Sequence, residues 1–241
     1  MIIFGHPIRR KPPNEKTHCM LRRSAQAISI LLHPLLMPTY MLALLLLINP
    51  YIFGVSSIWE DAGKLNLLRI FLYTFFIPAF AVALLKPLGF IRSLEMEERN
   101  ERTGPYIITA VFYLWAYMNM RNSAIFPPAY ASFMLGAVIA LFLVFFINIF
   151  SKISAHATGM GGLLGMVIIT MFRFSHDVFS IEAGAFGTIN FNMNAVLMIV
   201  LLLCGLVGTA RLLLGAHEPR DLYGGFMVGF LAQFIALRFS I

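Results

Sequence analysis

PAYASFMLGAVIALFLVFFINIF, residues 128–150, carries no charged side chain in any of its positions. A helix rises about 1.5 Å per residue, so a run of this length reaches roughly 34 Å. The hydrocarbon core of a bilayer is about 30 Å thick, and about 20 apolar residues cross it. This stretch is therefore a transmembrane span. Working outward, the same reading finds six more, at 27–49, 67–90, 106–120, 156–174, 193–213 and 222–240. The shortest, YIITAVFYLWAYMNM at 106–120, is expected to tilt or to be extended by its neighbours. Pro34 and Pro38 in the first span and Pro78 in the second are kinks that neighbouring helices can accommodate.

The composition of the whole chain agrees. Of its 241 residues 59% are hydrophobic and only 12% charged, and mean hydropathy is +0.82. Globular chains run about 45–50% apolar and about 25% charged. Such a chain lacks the polar surface that a soluble enzyme, a disordered segment or a nucleic-acid-binding module needs. The net charge of +7 does not point to nucleic acid, because six of the cations (Arg9, Arg10, Lys11, Lys16, Arg22, Arg23) fall in the first 26 residues and suit a membrane surface. Cys19 and Cys204 are too isolated to form a disulfide or zinc framework.

The expected fold class is all-α: a polytopic transmembrane helical bundle of about six to seven spans. Residues 1–26 read as a basic cytoplasmic segment and 27–241 as a single transmembrane domain. The first apolar run is too long for the core of a signal peptide and lacks a cleavage signature, so it reads as a retained span. Seven spans put the N-terminus and the loops after spans two, four and six on one face. That face is rich in Lys and Arg, which the positive-inside rule makes cytoplasmic. One span fewer ahead of residue 92 would turn it to the periplasm. Gly161 with Gly165, and Gly225 with Gly229, are spaced for close helix packing.

Ionisable groups are costly in a chain this apolar and are candidates for function. They gather in three segments of the same face. IRSLEMEERNERTGPY, 91–106, reads as an amphipathic juxtamembrane helix, with Arg99 and Arg102 able to offer two guanidinium forks to one anion. KISAHATGMGG, 152–162, opens the fifth span, with Ser154 as N-cap, His156 in the first turn, and a helix start suited to anions. GTARLLLGAHEPRDLYGG, 208–225, holds Arg211, His217 and Asp221. If Pro219 lies in the first turn of the last helix, Asp221 can hold one nitrogen of His217 and leave the other as base or nucleophile. Arginines and a helix start bind phosphate, a carboxylate-oriented histidine attacks phosphorus, and a second histidine protonates the leaving oxygen. No cluster of carboxylates suggests a metal. Metal-free phosphoryl transfer is the chemistry these groups allow.

The three segments resemble, in order and spacing, the signature of the type 2 phosphatidic acid phosphatase (lipid phosphate phosphatase) superfamily: Lys-x6-Arg-Pro, Pro-Ser-Gly-His and Ser-Arg-x5-His-x3-Asp. Arg211, His217 and Asp221 keep the spacing of the third element, with Ala210 in place of Ser. Ser154 and His156 keep the second, with Ile153 for Pro and Ala155 for Gly. In the first, Arg102 stands at the Arg, Pro105 follows three residues later, and Glu95 occupies the Lys position. The resemblance covers roughly residues 92–225. It implies a phosphatase-like helical core with His217 as the nucleophile of a phosphohistidine intermediate, Asp221 orienting it, and His156 as the acid. Arg211, Arg102 and the backbone at Ser154 and Ala155 would hold the phosphate, with Arg92 or Arg99 replacing the missing Lys.

The expectation is an integral membrane lipid phosphatase acting on a phosphate monoester or diphosphate of a phospholipid-like or polyprenyl substrate, without cofactor or metal. Its partners would be the lipid phosphate and the bilayer, with no nucleic acid, and its place a bacterial inner membrane. The same pocket would also serve a catalytically weakened or non-catalytic lipid-phosphate-binding or transport protein.

Overall fold

The computed structural model describes residues 15–94, 96, 98–175, 178–182 and 187–240. Arg9, Arg10, Lys11 and Glu95 lie outside them. Among the described residues six helical runs are long and apolar enough to cross a membrane: Cys19–Ile48, Asp61–Leu84, Pro128–Phe150, Ala155–Arg173, Met193–Leu213 and Pro219–Ser240. The chain is an all-α polytopic bundle and an integral membrane protein.

The first run is two helices, α1 (Glu15–Leu31) and α2 (Met37–Ile48), joined by a 3-10 turn at Pro34–Leu36. Helix α1 starts well before the apolar run expected at 27, because EKTHCMLRRSAQAISIL holds neither Pro nor Gly. Part of the expected basic segment, including Arg22 and Arg23, is thus helical. The second run comprises α3 (Asp61–Phe71), a π-helical turn (Leu72–Phe76) and α4 (Ile77–Leu84). Pro78 sits at the start of α4, and a proline removes a ladder donor in the way that commonly accompanies such a widened turn.

Helix α5 (Thr103–Met120) is the 106–120 stretch extended at its front. It falls outside the six runs, yet lies antiparallel along α6 (Pro128–Phe150), to which it is joined by a short loop. At the other end of this pair Asn148 Nδ2 donates to the Arg99 carbonyl, 3.0 Å away. Helices α7 (Ala155–Arg173), α8 (Met193–Leu213) and α9 (Pro219–Ser240) follow. A short antiparallel hairpin, β1 (Val178–Glu182) with β2 (Thr188–Asn192), joins α7 to α8 and pairs Ser180 with Asn190. The sequence reading had no strand there.

Many outward side chains are apolar: Met198, Ile199, Leu201 and Leu202 on α8, and Met227, Leu231, Phe234 and Ile235 on α9, are all exposed. Apolar surface on this scale is suited to lipid. Inside, Met41, Leu42, Met134, Met160, Met166 and Ala232 are fully buried.

The closest packing is between α7 and α9. A Cβ on Gly229 would strike the Thr158 carbonyl, and one on Gly161 the Phe226 carbonyl. The paired glycines act as expected: they bring two backbones into direct contact, as small residues do between membrane helices. Gly229→Ala must push α9 away from α7, an overpacking cost of about 1–3 kcal/mol. It is expected to melt earlier in detergent than wild type. Gly205→Ala, whose added Cβ meets nothing within 4 Å, should melt with the wild type.

Candidate functional site

Helix α9 begins at Pro219, whose missing N–H costs nothing in a first turn. That start sets His217 and Asp221 four residues apart on one turn. His217 Nδ1 lies 3.3 Å from Asp221 Oδ2, with the two side chains 2% and 5% exposed. The same oxygen accepts from the Glu218 backbone N–H at 3.3 Å. Since a carboxylate oxygen accepts, the His217 proton resides on Nδ1 and the lone pair on Nε2. The expected pairing is present.

Helix α7 begins with Ser154 as its N-cap, the side chain accepting from the Ala157 N–H at 3.4 Å. The Ser154 backbone N–H donates to the Asp221 carbonyl at 3.2 Å. This bond ties the starts of α7 and α9 together, above the glycine contact that brings the helices close. In the first turn of α7, His156 Nε2 lies 3.1 Å from the Ser29 carbonyl of α1. Its ring stands edge-on to His33, 5.4 Å between centroids at 81°.

Arg102, buried at the mouth of α5, donates from Nε to the Met96 carbonyl (2.9 Å) and from Nη1 to the Ile153 carbonyl (3.3 Å). It thereby clamps the preceding loop to the entry of α7. Arg211 lies in the last turn of α8.

His156, His217, Arg102, Arg211 and Ala155 all line one cavity of about 1070 Å³. Lys152, Arg22 and His33 line it too. No Asp or Glu among the described residues does. From this polar end the cavity continues along α6 past Val144, Leu141, Ala140, Ala137 and Phe133. One end therefore suits an anion and the other an apolar chain. Among the described residues no group of three or more His, Cys, Asp or Glu side chains gathers as a metal site.

Arg92 and Arg99 are placed elsewhere, which corrects two of the expected phosphate ligands. Arg92 pairs with Glu98 at 2.7 Å, and its backbone N–H donates to Glu101 Oε1 at 2.8 Å. Arg99 Nη1 donates to the Phe150 carbonyl at 2.9 Å. Neither lines the cavity. The physical reason is the backbone: the expected juxtamembrane helix is absent from the described part of 91–99, and Met96 has φ +47. Helical spacing therefore does not decide which way these arginines face.

Cavity residues that escaped the sequence reading as site residues include Arg22, Gln26, Ser29, His33 and Lys152. Lys152, two residues before Ser154, served only as a topological marker there. The signal for the others was legible: Arg22, Gln26 and Ser29 recur at helical spacing on one face of α1, with His33 just past its end, and all four line the cavity.

The structure thus defines a class: a polytopic helical membrane protein with a histidine-lined, cation-rich cavity that runs from polar to apolar. Comparison adds no name, for no family model, no curated protein and no solved structure matches the chain.

Burial holds the His217 imidazole below its ordinary 6.5, and the charges of Arg102 and Arg211 push the same way, while the bond to Asp221 opposes them. As pH falls through 6.5 the unfolded chain takes up a proton at His217 that the folded chain refuses. This group therefore lowers folding stability on acidification until the folded ring itself protonates. By NMR in detergent the His217 ring is expected to titrate below 6.5, and lower still in Asp221→Asn.

Proposed function

We propose that the protein is an integral membrane phosphohydrolase, a divergent member of the type 2 phosphatidic acid phosphatase superfamily, which removes phosphate from a lipid monophosphate or diphosphate. One observation carries the reading. His217, with Nδ1 held by Asp221, shares with His156, Arg102 and Arg211 a cavity whose described lining holds no Asp or Glu.

The chemistry follows from those placements. Substrate phosphate enters the cationic end, where Arg102, Arg211 and Lys152 offset its charge, and the lipid tail lies along α6. Neutral His217 attacks phosphorus through Nε2. The imidazolium that forms is stabilised by Asp221, as in other carboxylate-oriented histidines. As the bond from phosphorus to the lipid oxygen breaks, His156 gives that oxygen a proton. Water then attacks the phosphohistidine, His156 takes a proton from it, and inorganic phosphate leaves with His217 restored. The cluster of N-terminal cations supports a cytoplasmic location for this face, in a bacterial inner membrane.

Purified protein should release inorganic phosphate from a short-chain lipid phosphate. His217→Ala should lower kcat by about three orders of magnitude or more, and His156→Ala by about 10²–10⁴-fold. Wild-type-like turnover in His217→Ala would overturn the mechanism. Vanadate binding without turnover of any lipid phosphate would point instead to a non-catalytic lipid-phosphate-binding or transport protein.

A further inference from the structure

The first helix lies outside the segments that carry the family resemblance, yet Arg22, Gln26 and Ser29 on it line the cavity. The break after it has an identifiable cause. A residue preceding proline is driven out of the helical region, and His33, before Pro34, is extended at φ −66, ψ 137. Helix α1 accordingly ends at Leu31, with Leu32 N–H making its last bond, to the Ile28 carbonyl at 2.9 Å.

The next carbonyls need other donors, since helix ends leave such groups unsatisfied. That of Leu31 accepts from the Tyr40 hydroxyl at 2.6 Å. That of Ser29, which the His33 N–H would meet in a continuing helix, is met by His156 Nε2 at 3.1 Å. His33 holds the far side of the break: its Nδ1 accepts from the Leu35 N–H at 3.3 Å, capping the turn at Pro34–Leu36. Its ring also rests against His156.

We propose that the Pro34 break is part of the reaction machinery: it supplies the Ser29 carbonyl that fixes the tautomer of His156, with His33 as a positioning residue. This rests on the phosphatase reading. A carbonyl oxygen only accepts, so the Nε2 of His156 must carry a proton. Nδ1 is then the atom that exchanges protons with substrate and water. His156 enters the first step as the imidazolium, and its Nδ1 proton passes to the lipid oxygen as the phosphorus–oxygen bond breaks, leaving the neutral ring protonated at Nε2. In the second, Nδ1 takes a proton from the attacking water as the phosphorus–nitrogen bond of the phosphohistidine breaks. Ser29, His33 and Pro34 touch no reacting atom in this scheme; they act through His156.

The test compares two esters and one spectrum on the full-length protein. An alkyl lipid phosphate needs its leaving oxygen protonated, whereas p-nitrophenyl phosphate releases a stable anion. Pro34→Ala and His33→Ala should lower the alkyl-to-aryl ratio of kcat by about tenfold or more, in the direction of His156→Ala. His33→Asn, which keeps an acceptor for the Leu35 N–H, should recover most of the ratio. In 15N-histidine-labelled protein His156 should be protonated at Nε2 in the wild type and lose that preference in Pro34→Ala. A neutral His156 with its proton on Nδ1 and none on Nε2 in the wild type would refute the proposal, as would variants that slow both esters equally. Failure of the wild type to hydrolyse either ester would sink the phosphatase reading and this role with it. Turnover with an unchanged ratio would sink this role alone.

Discussion

One contact organises the polar end of the bundle: the Ser154 N–H donating to the Asp221 carbonyl across the starts of α7 and α9. It exists because the two helices touch backbone to backbone lower down, where any side chain at Gly229 or Gly161 would intrude. Hold α7 and α9 at ordinary helix spacing and Asp221 moves off Ser154. The His217–Asp221 pair then leaves the turn that carries His156. The geometry of the site is thus set a few turns below it, by residues with no chemistry of their own. In lipid, where apolar association has no water to escape, such close van der Waals packing is the force available.

Around that junction the other elements add charge. Arg102 reaches over from α5 and binds the Ile153 carbonyl, one residue ahead of the Ser154 cap. Arg211 comes from the end of α8, and α1 contributes Arg22, Ser29 and His33 to the wall. Among the described residues of the wall the formally charged side chains are all cations. His217 is held neutral by the same burial and the same guanidinium groups. The same cations therefore favour an anion in the cavity and disfavour a proton on His217 Nε2.

The sequence made the helical bundle legible because crossing a bilayer demands length and apolarity together, and six runs meet both. The His217–Asp221 pairing was equally readable, since Pro219 marks a helix start and four-residue spacing does the rest. The Ser154 cap followed from the same rule. What escaped was tertiary. Arg92 and Arg99 were expected to replace the missing Lys from a segment read as helix, which Met96, at φ +47, takes out of helix. Helix α1 was read as a tail and a greasy span divided at residue 27, where hydropathy changes; the backbone makes no such division. Hydropathy averages over all sides of a helix, so the polar stripe from Arg22 to His33 was diluted by its apolar neighbours.

That stripe has a consequence for assembly. Helix α1 packs along α8, whose residues emerge from the ribosome after most of the chain has been made. A freshly inserted α1 thus carries Arg22, Gln26 and Ser29 on one side, with His33 just past its end, while α8 is still unsynthesised. Polar groups unmatched in hydrocarbon are costly, so α1 must wait at the interface or beside a translocon or chaperone until α8 arrives. Seating then runs against the order of synthesis for this pair: α1 precedes α8 in the chain and docks only once α8 is made.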